Sequence, residues 1–180
     1  MILKLKSKDI FYNLAVEEWL MENIIEPTLI LWKSSEAIVM GKNQNPWMEC
    51  RLNLINSDKI PLARRVSGGG TVYHDIGNLN YSIIVNQNNY QESHAFNMVL
   101  SALNKLGIRA TIKCRSNLTY QNKKFSGTAF AFRKGKVMHH GTMLLNTNLE
   151  KLNKYLGTDY NNISSKAVRS VPLEVINLKI

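Results

Sequence analysis

Arg64-Arg65-Val66-Ser67-Gly68-Gly69-Gly70-Thr71-Val72-Tyr73-His74-Asp75-Ile76-Gly77-Asn78-Leu79-Asn80 decides how this chain reads. Two cations lead into three consecutive glycines, and a short β-type run ends in His-Asp-x-Gly-Asn. A glycine inside a strand or helix costs roughly 0.5–1 kcal/mol relative to alanine. Three in a row therefore mark a place that needs bare backbone. Main-chain N–H groups with cations beside them form a cradle for an anionic ligand. Taken alone, the glycines also fit a mobile hairpin turn. The arginine pair and the His-Asp turn favour a ligand site.

Outward from this block, the chain has the size and balance of one globular domain. It has 180 residues, 44% of them hydrophobic and 20% charged, long enough to bury about 70% of its unfolded surface. No apolar run approaches the roughly 20 residues of a membrane span. Met1-Ile2-Leu3-Lys4-Leu5-Lys6 alternates like a strand and lacks the apolar core of a signal peptide. Cys50 and Cys114 are too few for a disulfide framework and suit a reducing compartment, so cytoplasm is the expected location. The net charge of +10 fits steering of acidic ligands. Its cations are scattered, without interleaved aromatics, which does not favour nucleic acid.

Apolar runs at Leu29 to Trp32, Ala37 to Met40 and Tyr81 to Val85 predict strands. Helical spacing predicts a helix over about Leu14 to Glu22. A second carries Phe96, Val99, Leu100, Leu103 and Leu106 on one face, with Ser93 as N-cap and Gly107 as stop. A third is predicted over about Leu149 to Leu156, closed by Gly157. Asn86-Gln87-Asn88-Asn89 and Asn161-Asn162 read as surface loops. The class is α+β. His139 and His140, neighbours on a strand, face opposite ways and do not form a joint metal site; no protein metal site is expected.

The opening block resembles the signature loop of the lipoate–protein ligase family, which reads RRxSGGGxVxHDxGNxN. Further stretches resemble other family segments in the same order. They are Asn13-Leu14-Ala15-Val16-Glu17-Glu18, Leu31-Trp32-Lys33 and Val39 to Cys50, then Lys124-Phe125-Ser126-Gly127-Thr128-Ala129 and His139-His140-Gly141-Thr142-Met143-Leu144-Leu145. The last are Lys166-Ala167-Val168-Arg169-Ser170-Val171 and Val175-Ile176-Asn177-Leu178. The resemblance implies a mixed central sheet flanked by helices, like the catalytic core of biotin ligases and class II synthetases, as a single catalytic domain over residues 1–180.

It also implies a two-step reaction. Lipoate or octanoate attacks the α-phosphate of ATP, giving acyl-adenylate and pyrophosphate. A lysine of an acceptor lipoyl domain then takes the acyl group and releases AMP. The acceptor would be an acidic lipoyl domain, of a 2-oxoacid dehydrogenase E2 or the glycine cleavage H protein. Mg²⁺ would come with the nucleotide. By resemblance Lys124 is the catalytic cation between acyl carboxyl and phosphate, stabilising developing charge. Arg65 holds phosphate or acyl oxygen, and Arg64 serves a structural ion pair. Ser67, Gly68, Gly69, Gly70, Thr71, Val72 and Tyr73 line the acyl–adenylate bend. Trp32, His74 and His140 line the acyl pocket, and Asn78, Asn117 and Lys166 complete the binding set. Each also has a plainer reading: a solvated lysine, a core indole, a histidine in a capped turn.

Two departures from the family pattern stand out. Cys114-Arg115-Ser116-Asn117-Leu118 stands where the family commonly reads G-R-N-D-L, so Asn117 replaces a carboxylate and Cys114 a glycine. A thiol acyl carrier at Cys114 is one alternative, although a buried, inert cysteine is the favoured reading. A non-catalytic subunit that holds lipoyl-AMP or a lipoyl domain is another. The second concerns the small C-terminal accessory domain of many ligases, which is expected to be absent. That leaves open ligase or lipoyl-AMP-dependent lipoyltransferase, with a separate accessory polypeptide possible in either case.

Overall fold

A computed structural model describes residues 1–114, 116–160 and 162–178. Arg115 of the 114–118 motif and Asn161 of an expected surface loop lie outside them.

The chain opens with β1 (Ile2–Lys4) and α1 (Ile10–Asn23). The Asp9 carboxylate accepts from the Tyr12 amide at 2.7 Å, satisfying a donor that a helix start leaves orphaned. This cap sets the start at Ile10, ahead of the expected Leu14. The runs expected as strands form β2 (Thr28–Trp32) and β3 (Ala37–Met40). Short helices α2 (Pro46–Glu49) and α3 (Leu52–Ser57) lead to β4 (Leu62–Arg64), and β5 (Val72–His74) follows the glycine loop. β6 (Asn78–Asn86) leaves the Gly77 turn at once, so it begins before the expected Tyr81.

α4 (Glu92–Lys105) is capped by Gln91 without a side-chain bond. Ser93, expected as its cap, lies in its first turn, because Glu92 already sits where the helix dipole favours a carboxylate. Gly107, at φ +79°, stops the helix in the left-handed conformation that glycine tolerates. Strands β7 (Thr111–Lys113), β8 (Asn117–Tyr120), β9 (Lys123–Arg133) and β10 (Lys136–Leu144) precede α5 (Leu149–Tyr155). No helix among the described residues is long and apolar enough to cross a membrane.

The larger sheet runs β1-β2-β6-β10-β9-β8-β7. Only β1 and β2 pair in parallel; every other neighbour pair is antiparallel. One face is covered by α1, whose Ile10, Leu20 and Met21 pack with Ile30, Trp32, Ile84 and Met138. The other carries α4, whose Phe96, Val99 and Leu103 pack with Ile83, Leu118 and Phe125. The smaller sheet, β4-β3-β5, rests on a third cluster of Ile38, Cys50, Ile55, Tyr73 and Tyr155. The glycine loop joins its outer strands and faces the larger sheet. After α5 the chain returns to β9, where the Lys124 amide donates to Glu174 O and the Ile176 amide to Lys124 O, both at 2.9 Å.

Candidate active site

A cavity of about 530 Å³ opens between the glycine loop, α1 and strands β9 and β10, a size usual for small-molecule sites. A buried carboxylate stands on its wall. Glu17 of α1 accepts from Trp32 Nε1 at 2.9 Å and from the Ser82 hydroxyl, with His140 Nδ1 at 3.3 Å. Burial alone would raise its pKa. The adjacent His140 and the donated hydrogen bonds outweigh burial and lower it. Trp32 stacks on His74 with ring centroids 5.6 Å apart. The His74 Nδ1 faces the side-chain amides of Asn78 and Asn80 at 3.3 and 3.2 Å. Burial, with Arg65 nearby, pushes its pKa down to about 3, so the ring is neutral.

The glycine loop is organised by Arg65. Its Nε donates to Ser67 Oγ at 3.0 Å and its Nη1 to Val39 O at 3.1 Å, while Nη2 donates to Gly68 O and Gly70 O at 2.6 and 2.7 Å. Four of the five N–H groups of a guanidinium are thus engaged within the protein. Arg65 shapes the cradle and offers a ligand its charge and one remaining donor. Gly69 has φ +81°, the left-handed region that other residues resist. A Cβ on Gly70 would stand 2.8 Å from Ser170 Oγ, whereas one on Gly68 would meet nothing within 4 Å. Ser170 closes the loop from above. Its hydroxyl accepts from the Thr71 amide at 3.0 Å and donates to the buried Glu49 carboxylate.

Across the cavity, Lys124 lies over Gly127, where a Cβ would be 3.0 Å from its Nζ. Burial first, then the charge of Arg65, lowers the Lys124 pKa. Burial likewise lowers that of Arg65 to about 10, despite Glu17 nearby. Two desolvated cations therefore share one cavity, an arrangement that an anionic ligand would relieve.

The cavity wall gathers Trp32, Arg65, Gly69, Gly70 and Thr71, together with Val72, His74, Asn117, Lys124 and His140. The other sequence-predicted residues lie elsewhere. Ser67 stands behind the wall, bridging Arg65 and His140, and Gly68 contributes a carbonyl to Arg65. Asn78 backs His74. Tyr73 is turned away, buried beside Tyr155, because neighbours on a strand alternate faces. Lys166 is exposed outside the cavity. Arg64 makes no ion pair among the described residues. It donates to the carbonyls of Gly41, Lys42 and Gln44 at 2.9–3.1 Å, which a loop with few internal bonds needs. Cys114 is exposed rather than buried, since it occupies the turn after β7 at φ +52°, and it lines the cavity.

Glu17 was not among the expected site residues. Its signal is a carboxylate on the apolar face of α1, one turn from both Leu14 and Leu20. Arg169 and Ser170 also line the cavity, in place of Lys166. His139 faces α4, inside a box of Tyr81, Tyr90, Phe96 and Phe130. Among the described residues no three His, Cys, Asp or Glu side chains group as a metal site.

Comparison with known proteins places this geometry in a family. The model of the lipoyl protein ligase A/B catalytic domain matches residues 9–180. The lipoate-protein ligase A of Psychrobacter cryohalolentis is 40% identical over 98% of this chain and 53% of its own length. The chain spans about half the length of the curated relatives it matches. Among solved structures, P. falciparum LipL1 in complex with lipoate has a TM-score of 0.86 at 36% identity, over 99% of this chain and 55% of that one. A bi-partite lipoate protein ligase from Thermoplasma acidophilum, described with its E2 lipoyl domain, has a TM-score of 0.80 at 28% identity, over 88% and 66%. A lipoate-protein ligase A bound with ATP has a TM-score of 0.78 at 28% identity, over 87% and 71%.

Proposed function

The chain belongs to the lipoyl protein ligase A/B catalytic-domain family, and from that premise we propose that it attaches a lipoyl or octanoyl group, through an acyl-adenylate, to a lysine of a lipoyl domain. The observation that carries this reading is the pair of desolvated cations, Lys124 and Arg65, facing one cavity whose wall also carries Trp32, Val39 and Val72. A fatty acyl group fits between Trp32, Val39 and Val72. Its carboxyl and the α-phosphate fit between Lys124 and the amides of Gly70 and Thr71. Lys124 stabilises the charge that develops when carboxylate attacks phosphate, and again when the acceptor amine attacks the acyl carbon. Val168, Arg169, Ser170, Val171 and Leu173 line the cavity too, and covering the mixed anhydride would keep water from it.

ATP, lipoate and a lipoyl-domain acceptor are proposed as substrates, each in keeping with what the similar structures are described as holding. Mg²⁺ is proposed to enter on the nucleotide, held chiefly by phosphate oxygens and water. A bi-partite ligase stands among those structures. In keeping with it, activation by ATP is proposed to need a further segment, in this polypeptide or a separate one, while transfer from preformed lipoyl-AMP needs only the 180 residues. A second reading, transfer through a Cys114 thioester, has one observation in its favour: the thiol lines the same cavity.

The test is an incubation with an apo lipoyl domain, read by intact mass. Lipoyl-AMP should add one lipoyl group to the acceptor. An unmodified acceptor with lipoyl-AMP, with or without the rest of a ligase, would overturn the reading.

A further inference from the structure

Glu49, the last residue of α2, is a buried carboxylate that stands outside the cavity wall. It makes no ion pair among the described residues. The hydrogen bonds of its side chain among those residues all go to Ser170. Its two oxygens accept from the Ser170 amide at 3.1 and 3.2 Å, and Oε2 accepts from the Ser170 hydroxyl as well. A buried charge without a cation depends on such bonds. The Ser170 hydroxyl has one proton and two lone pairs, and all three are engaged. Gln44 Oε1 accepts from the Gly41 amide and the Thr71 hydroxyl at 2.9 and 2.8 Å, which turns its Nε2 toward Ser170 Oγ at 3.0 Å. The Thr71 amide donates to the same Ser170 oxygen at 3.0 Å. With two donors facing that oxygen, its own proton goes to Glu49.

The Thr71 amide is one end of a peptide unit whose other end is the Gly70 carbonyl, and in a trans peptide the two point opposite ways. Gly70 O accepts from Arg65 Nη2 at 2.7 Å. The unit is thus clamped from both sides. One line of hydrogen bonds runs from Glu49 through Ser170 and the Gly70–Thr71 peptide to the Arg65 guanidinium on the cavity wall. It begins at an anion and ends at a cation, so each bond polarises the next in the same sense. We propose that Glu49 is a positioning residue for the reaction: from outside the cavity it fixes the Gly70–Thr71 peptide and, through it, the charge of Arg65. This role rests on the acyl-adenylate reading, which brings a phosphate to the glycine loop. Glu49 touches no substrate and acts through Ser170 alone.

Amide hydrogen exchange of the ligand-free chain tests the clamp, and calorimetry with non-hydrolysable lipoyl-sulfamoyl adenosine tests its consequence. In Glu49→Ala the Thr71 amide should exchange about tenfold faster than in the parent, while amides of β6 and β10 keep their protection. Affinity for the adenylate analogue should fall about tenfold, the worth of one charge-assisted hydrogen bond. Ser170→Ala should do the same. The double variant should bind no worse than either single one, since both changes break one line of bonds. Thermal melts establish that each variant is folded, and Ser170→Ala carries the test if Glu49→Ala is not. A folded variant with the parent protection at Thr71, or with the parent affinity, overturns the proposal, as do losses that add in the double variant. Protection lost across β6 and β10 as well marks a purely structural role and overturns it too. In each of these cases a parent that binds the analogue leaves the acyl-adenylate reading standing. A parent that does not bind it overturns that reading, and the proposal with it.

Discussion

His140 Nε2 stands 2.6 Å from Ser67 Oγ, while its Nδ1 faces the Glu17 carboxylate at 3.3 Å. The ring therefore links α1 to the glycine loop: Glu17 orients His140, His140 orients Ser67, and Ser67 receives the Arg65 Nε donor. Removing the carboxylate leaves Trp32 Nε1, the Ser82 hydroxyl and His140 Nδ1 without their acceptor. Unsatisfied buried donors cost about 1–3 kcal/mol each when water cannot replace the partner. Glu17→Ala should lower stability by about 3 kcal/mol in urea melts, and Glu17→Gln, which keeps an acceptor oxygen, by clearly less. Equal losses in the two variants would mean that the network does not depend on this acceptor.

Lys124→Ala is expected to keep its melting temperature and lose acceptor modification. Its ammonium group makes no ion pair among the described residues, so no salt bridge is lost with it. A preorganised donor at developing charge is worth about 3–4 kcal/mol, or roughly 10²–10³ in rate. Transfer from lipoyl-AMP within a few-fold of the parent would remove Lys124 from the central role.

The three glycines of the loop should separate in stability. Gly69 sits at φ +81°, so alanine there costs about 1–2 kcal/mol. A Cβ at Gly68 meets nothing and no positive φ opposes it, so Gly68→Ala should melt within about 0.5 kcal/mol of the parent. Gly70→Ala presses on Ser170 and should weaken the closure of the loop. Equal melting of the Gly68 and Gly69 variants would contradict this ordering.

Buried neutral histidines make the fold acid-sensitive. Burial, with a neighbouring cation or histidine, holds His74 to about 3 and His139 to about 4, against 6.5 in the open chain. Between those values the unfolded chain binds the extra proton, so stability is full above about pH 6.5 and is lost as pH falls toward 4. Each histidine accounts for about 2 kcal/mol between pH 7 and pH 5. His139→Phe should remove about half of that combined loss in urea melts at the two pH values. An unchanged pH slope would show that His139 is not held neutral.

Much of this site is legible in sequence because its parts are local. The glycine loop, its arginines and the His-Asp turn are contiguous. Asp75 takes the Gly77 and Asn148 amides, and Gly77 lets Asn146 O approach where a Cβ would stand only 2.0 Å away. Periodicity finds the helices that cover the sheet, and caps then decide where they start. What sequence does not disclose is long-range. Glu17 meets His140 across 123 positions and Ser170 meets Glu49 across 121, and no local pattern encodes either pairing. Tyr73 shows the opposite error, for its place in a contiguous motif suggests a ligand contact while strand alternation turns it into the core.

Cys114 and ATP dependence can be tested together. The thiol lines the cavity from an exposed turn, so a thioester route has the access it needs. If Lys124 and the glycine loop act on an acyl-adenylate, Cys114→Ser should transfer lipoate from lipoyl-AMP about as well as the parent. A thioester route would instead lose several orders of magnitude, since a neutral hydroxyl is a far poorer nucleophile than a thiolate. With ATP and free lipoate, the 180-residue chain alone is expected to work poorly. Asn117, buried beside Gly127 on the cavity wall, brings no charge where the resembling motif has a carboxylate. Asn117→Asp should then raise ATP-dependent adenylation, measured by pyrophosphate release, more than it raises transfer from lipoyl-AMP. A dead Cys114→Ser variant with an acyl adduct on the parent thiol would refute the first half, and robust ATP-dependent ligation by the 180-residue chain the second.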